Sequence, residues 1–204
     1  MKTPLFISSI VVATLLGMSV AFVFLSPSPM QLQAATWFGE QARPIPEFSL
    51  ANQRGEPFNP DSMRGHWHLL FFGYTHCPDI CPDTMQMMAK MIDQIEQPDV
   101  REQLRVTFVS VDPERDTAQL IGQYAQHFHP EIHSARGDIT EVNKLTDSLG
   151  VLHYITKTKD ESSYEVAHSG VLTLIDPQGR YTALFNTPHD PGKIAHDLTT
   201  LVQG

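Results

Sequence analysis

Leu5 to Leu25 is a run of 21 residues without a single charge. No small water-soluble domain tolerates such a stretch on its surface. As a helix rising about 1.5 Å per residue it reaches roughly 30 Å, the thickness of a bilayer core. The apolar part of a cleaved signal peptide is shorter, about 7–15 residues. The small residues Ala34 and Ala35, which would suit a cleavage site, lie well past the run. A retained single-pass transmembrane anchor over residues 5–25 is therefore expected. Lys2 is the only charge before it, and no Lys or Arg follows until Arg43. That bias places residues 1–4 in the cytoplasm and the rest of the chain outside. No Arg-rich transit segment precedes the span, so the expected setting is a bacterial inner membrane with the soluble part in the periplasm.

Residues 26–43 contain early prolines and no apolar period, which predicts a linker, with Trp37 and Phe38 either at the lipid interface or packed on the domain. Residues 44–204 form the expected domain, long enough at about 160 residues to bury a core without covalent staples. Beyond Lys2 the chain has 13 basic against 23 acidic side chains. Nucleic-acid binding needs a basic face and is excluded on that balance. Within the domain, His68–Tyr74 and Val106–Val111 read as buried strands. Met85–Glu96, Thr117–Phe128, Ile139–Leu149 and Ile194–Val202 read as helices. Asp116 with Gln119 resembles a capping box, and Gly150 stops the third helix. Val151–Ile155 and Tyr164–Val166 flank a polar tip, Lys157 to Ser163. Val171–Asp176 and Tyr181–Phe185 form a hairpin around Pro177, Gln178 and Gly179. This order is that of an α/β fold.

The strand ending at Tyr74 runs straight into Thr75-His76-Cys77-Pro78-Asp79-Ile80-Cys81-Pro82, which holds both cysteines of the chain. Ligand sites in open α/β sheets favour the carboxyl ends of strands. On a helix, residues four apart share a face, so both sulfurs can aim at one point. A helix N-terminus stabilises thiolate, the form that binds soft metals and attacks disulfides. A structural disulfide gains little by closing so short a loop. Two chemistries stay open, metal ligation and thiol–disulfide exchange by Cys77 and Cys81. Two thiolates leave a metal site incomplete. Copper(I) accepts soft thiolates and is satisfied by fewer ligands than the four of structural zinc. The best candidate for a third ligand is His168, ahead of the apolar run Ser169–Asp176.

Three motifs in order carry a family resemblance: THCPDICP at Thr75–Pro82, VDPERDT at Val111–Thr117 and HSGVLTLIDPQGR at His168–Arg180. Together they resemble the Sco/SenC family of copper-binding assembly factors, from about Pro44 to the C-terminus. The resemblance implies a thioredoxin-like fold that holds copper through Cys77, Cys81 and His168. It further implies delivery of copper to the CuA centre of cytochrome c oxidase, or reduction of the cysteines there. Ala167 departs from the pattern, since many relatives have an acidic residue before this histidine.

Other residues take plainer readings. His76 adjoins Cys77, too close in the chain to aim at the same ion, and is assigned to packing or support of the site. His127, His129 and His133 read as solvated, as do His66 and His68. Met85 and Met88 belong to the core by spacing, and Met87 is the methionine left to be exposed. Asp112 is placed near the site in a supporting role.

Overall fold

The computed structural model describes residues 31–157 and 164–204. The expected span, residues 5–25, and the polar tip beyond Lys157 lie outside the described residues. Among the described residues no helix is long and apolar enough to cross a membrane. Leu32–Gly204 forms one compact unit.

The unit opens with β1 (Ala35–Trp37), β2 (Arg43–Pro44), β3 (Leu50–Asn52), β4 (Pro57–Phe58), α1 (Pro60–Met63) and β5 (Trp67–Gly73). Next come α2 (Ile80–Gln94), α3 (Pro98–Gln103), β6 (Leu104–Ser110), α4 (Ala118–Phe128), β7 (Ile132–Arg136) and α5 (Ile139–Leu149). It closes with β8 (His153–Lys157), β9 (Tyr164–His168), β10 (Leu172–Ile175), β11 (Arg180–Phe185) and α6 (Pro191–Gln203). The main sheet runs β1-β11-β10-β5-β6-β7-β3-β4, with β2 also on β11. β5, β6 and β7 are parallel, and β10 joins β5 antiparallel. β8 and β9 pair only with each other, as a separate two-stranded sheet.

Side chains alternate across a strand, and β5 shows why its sequence is apolar throughout. Leu69 and Phe71 pack with Met85, Met88, Met91 and Leu198 on one face. Leu70 and Phe72 pack with Val109, Val142 and Leu145 on the other. A strand covered on both faces reads as a continuous apolar run rather than as an alternation. Met85 and Met88 are fully buried, and Met87 is partly buried against the same core.

Several expectations change. Ala35–Trp37, inside the expected linker, is a strand paired with Ala183–Phe185. It is held by the buried carboxylate of Asp197, which accepts from the backbone N–H groups of Gln33, Ala34 and Ala35 at 2.7–3.0 Å. The domain thus starts before residue 44. Helix α4 is capped by Thr117, whose hydroxyl accepts from the Leu120 N–H, and not by Asp116. Asp116 is buried and engaged elsewhere. His68 is 5% exposed rather than solvated, because it opens the central strand. β7 and α3 carry no strong period and were not expected.

Candidate metal centre

Both sulfurs depend on the way β5 ends. Gly73 is its last residue, and a Cβ there would lie 2.5 Å from the sulfur of Cys81 and 3.0 Å from Phe108. Only the absence of a side chain lets the sulfur pack against the strand end. Tyr74–Asp79 is then a loop, and α2 begins at Ile80. The expectation of two helical cysteines is corrected accordingly. Cys81 lies in the first turn of α2, while Cys77 sits in the loop, its N–H bonded to the Tyr74 carbonyl at 3.2 Å. Pro78 precedes the helix, so the loop cannot simply continue the helical ladder backwards.

The loop is pinned from beneath. The Asp116 carboxylate accepts from the Thr75 N–H at 3.2–3.3 Å, the Thr75 hydroxyl at 2.6 Å and the Ser110 hydroxyl at 2.6 Å. It is wholly buried. Such charge-assisted bonds are about twice as strong as neutral ones, which accounts for a carboxylate placed where a helix cap was expected.

His168 is the last residue of β9, directly opposite His153 on β8. It was expected to open the following strand and instead closes this one. Its ring stands edge-on to Phe71 and Tyr74, with centroids 6.0 and 5.8 Å away. The carbonyl of Ser169 lies 3.3 Å from Nδ1. That contact assigns the proton to Nδ1 and leaves Nε2 as the free donor atom. Nε2 is 3.2 Å from the sulfur of Cys81. Tyr164, at the other end of β9, donates to Asp112 at 2.7 Å. Arg115 pairs with Asp112, donates to the Tyr164 carbonyl at 2.9 Å and lies 3.7 Å over the Tyr164 ring. The VDPERDT segment thus holds both parts of the site, through Asp116 beneath the cysteine loop and through Asp112 and Arg115 on β9.

Both cysteines are free thiols. The ligand atoms of Cys77, Cys81 and His168 all lie within 4.8 Å of one another. Bonds of about 2.3 Å to sulfur and 2.0–2.1 Å to nitrogen are nearly enough to span such a triangle from its centre, so two sulfurs and an imidazole fit one soft ion. The thiols are unequal. Cys77 falls well below the ordinary thiol range because the Cys81 thiol bonds its thiolate, aided by the backbone at Asp79 and against the effect of burial. Cys81 is pushed up by that same bond and by burial. Cys77 is partly exposed and Cys81 buried. A cleft of about 380 Å³ opens beside Cys77, Ile80, Glu165 and His168.

His76 is exposed and stays out of the cluster, its Nδ1 3.1 Å from the Thr75 hydroxyl. His129 faces Asp93 at 3.3 Å, away from the site. Gly73, Tyr74, Arg115, Asp116 and Tyr164 carry the geometry without having been legible as site residues. The pointers towards them were the adjacency of Gly73 and Tyr74 to the cysteine motif and the place of Arg115 and Asp116 within VDPERDT.

A mixed sheet with helices on both faces, and a thiol pair at the carboxyl end of its central strand, defines a thioredoxin-like domain with an added imidazole. Within that class the chain belongs to the SCO1/SenC family, whose model matches residues 39–203. An SCO2-like protein of Rickettsia prowazekii is 33% identical over 86% of this chain and 87% of its own. The copper-bound structure of Bradyrhizobium japonicum ScoI is 33% identical, with a TM-score of 0.68, over 76% of this chain and 98% of that one. Arabidopsis thaliana ScoI with copper bound gives 32% and 0.68 over 78% and 98%.

Proposed function

We propose that this chain is a membrane-anchored copper chaperone that holds one copper ion between Cys77, Cys81 and His168. It would pass that ion to the CuA centre of cytochrome c oxidase. The observation that carries the reading is the convergence of the three ligand atoms within 4.8 Å. The copper-bound relatives support the choice of metal, and the uncharged stretch Leu5–Leu25 supports the anchor. Copper enters as cargo. A set of only three ligands, one partly exposed and beside an open cleft, suits ligand exchange with an acceptor's cysteines and histidines. The anchor would hold the domain on the periplasmic face of a bacterial inner membrane, in reach of an acceptor in the same membrane.

The test uses the full chain, reduced, in detergent. Cupric titration should give sulfur-to-metal charge-transfer bands that saturate at one equivalent. Absence of those bands, or an unchanged titration in His168→Ala, would sink the proposal.

The inequality of the two thiols favours a second activity at the same place. Cys77 thiolate would attack an acceptor disulfide, forming a mixed disulfide and releasing one acceptor thiolate. Cys81 would then attack Cys77, releasing the second. Two electrons pass to the acceptor, and a Cys77–Cys81 disulfide is left behind. Cys77→Ser should abolish both activities, whereas His168→Ala should remove copper binding and spare the reduction. Loss of reduction in His168→Ala would reject this exchange route.

A further inference from the structure

The amino ends of β5, β6 and β7, opposite the cysteines, hold a second cavity of about 270 Å³. Parallel register sets His68 beside Arg105 and Thr107 beside His133. Alternation along the strands puts His68, Arg105 and His133 on the same face of the sheet. His66 stands edge-on to His68 with ring centroids 6.5 Å apart, and Arg54 closes the rim.

Two features of this cavity call for a ligand. His68 is only 5% exposed, yet neither ring nitrogen makes a well-formed hydrogen bond, its one polar neighbour among the described residues being a weak contact to the Met63 backbone. A buried imidazole left unpaired is destabilising, because its lost water contacts are not replaced. The charge is also one-sided. Among the described residues Glu56 is the only carboxylate lining the cavity, and Arg54 takes it at 2.7 Å. Arg105 donates to the carbonyls of Glu102 and Leu104 and has no carboxylate within ion-pair distance among the described residues. This is an island of positive charge on a chain whose formal net charge is −9.

We propose that this cavity is a binding site for a small oxyanion of the phosphate or carboxylate type, bound by the Arg105 guanidinium and the His68 N–H. Guanidinium suits both anions through paired N–H donors. A metal is the wrong occupant for two reasons. Two guanidiniums repel a cation, and the imidazole nitrogens do not converge: among the described residues only Cys77, Cys81 and His168 form a metal-sized cluster. The local field is visible in the imidazoles themselves. Burial first, then the charge of His66, hold His68 down to about 3 against a weak opposing contact to the Met63 backbone, with Arg105 and His133 adding to the lowering. Burial, Arg105 and Arg54 lower His133 as well, with Glu131 opposing.

The test is an NMR titration of the full chain in detergent with 15N-labelled histidine. Sodium phosphate and sodium acetate are added against sodium chloride at equal ionic strength. The rings of His68 and His133 should shift saturably with phosphate or acetate and not with chloride, while His127 and His196 stay put. Arg105→Gln should weaken that response about tenfold or more, the scale of one charge-assisted bond. Arg54→Gln, at an exposed position where folding is not at stake, should weaken it less. Nanodiscs containing phosphatidylglycerol form a second arm. A shift there without added salt identifies a lipid headgroup as the source, and a shift only with free anion identifies a solute. Shifts that track ionic strength without saturating, or that persist in Arg105→Gln, overturn the proposal. So does a stoichiometric response of these rings to zinc chloride.

Discussion

Cys77 and Cys81 hang from the end of β5, a strand paired on both sides and packed on both faces. His168 ends β9, whose only partner among the described residues is β8. Cys81 and the residues beneath it, Tyr74 and Met85, are buried, while the loop above is open at His76, Pro78 and Asp79; on the β8 side Leu152, Tyr154 and Ile155 are 74%, 65% and 64% exposed. Cys81 is thus set in the core, Cys77 in the loop at its edge, and the third ligand on an arm. Local opening is easiest where buried apolar contacts are fewest. In the proposed cargo site that asymmetry would leave the buried sulfur of Cys81 fixed and the imidazole as the ligand best placed to let go first.

The sharpest way to break this contrast is to weaken the sulfur side. Asp116→Ala removes the acceptor of three groups, the Thr75 N–H and the hydroxyls of Thr75 and Ser110. Bonds to a charged group contribute about 1.5–3 kcal/mol each, so a loss of at least about 3 kcal/mol is expected by urea unfolding. An unchanged midpoint would show that the cysteine loop does not depend on that carboxylate.

Acid should act next, through the far end of the same strand. His68 is held neutral when folded, at about 3, and regains an ordinary imidazole value near 6.5 when unfolded. Between those values the unfolded chain binds more protons. Stability therefore rises with pH in this window, is fully present above 6.5 and drains away as pH falls towards 3. The slope approaches 1.4 kcal/mol per pH unit. From pH 6.5 to 5 the protein should lose about 1.6 kcal/mol more than His68→Leu does. Parallel acid limbs for the two proteins in urea unfolding would remove His68 as the cause.

What the sequence made legible follows the same division. The β5 run, the Cys-x3-Cys spacing and the final hairpin were readable because apolar runs, motif spacing and turn residues are local signals. His168 was readable as a ligand mainly through the resemblance, since nothing local marks a strand end that meets a loop some 90 residues earlier. Asp116 was misassigned because Asp followed by a helix is locally a good cap, and its true partner, Thr75, is 41 positions away. The burial of His68 was hidden because two histidines around a tryptophan read as polar. β1 was hidden because a three-residue strand has no period, and Asp197 holds it from across the fold.

A smaller effect is expected from Gly73→Ala. The added methyl would sit 2.5 Å from the sulfur of Cys81, so the sulfur must shift. Overpacking of this kind costs about 1–3 kcal/mol. Taken at its low end and expressed in ligand geometry, that is about a fivefold loss of copper affinity. Competition against a copper chelator reads it. A full-affinity Gly73→Ala protein would show that the position of Cys81 is looser than its burial implies.

Tyr164→Phe perturbs the arm alone and should have the smallest effect. It deletes one bond, from the Tyr164 hydroxyl to Asp112 at 2.7 Å, and keeps the ring under Arg115. A single net hydrogen bond contributes about 0.5–1.5 kcal/mol. Asp112 keeps its pairing with Arg115, so the lower figure applies. The loss should leave the urea midpoint of the sheet untouched, because β9 lies outside it. Instead it should speed copper release about twofold in stopped-flow transfer to a chelator, the equivalent of about 0.5 kcal/mol. Arg115→Ala removes the ion pair, the bond to the Tyr164 carbonyl and the ring contact together, and should speed release further. If both variants release copper at the parent rate while Asp116→Ala releases it faster, the order of detachment is reversed. The imidazole would then be the fixed ligand, and the loop carrying Cys77 the part that yields.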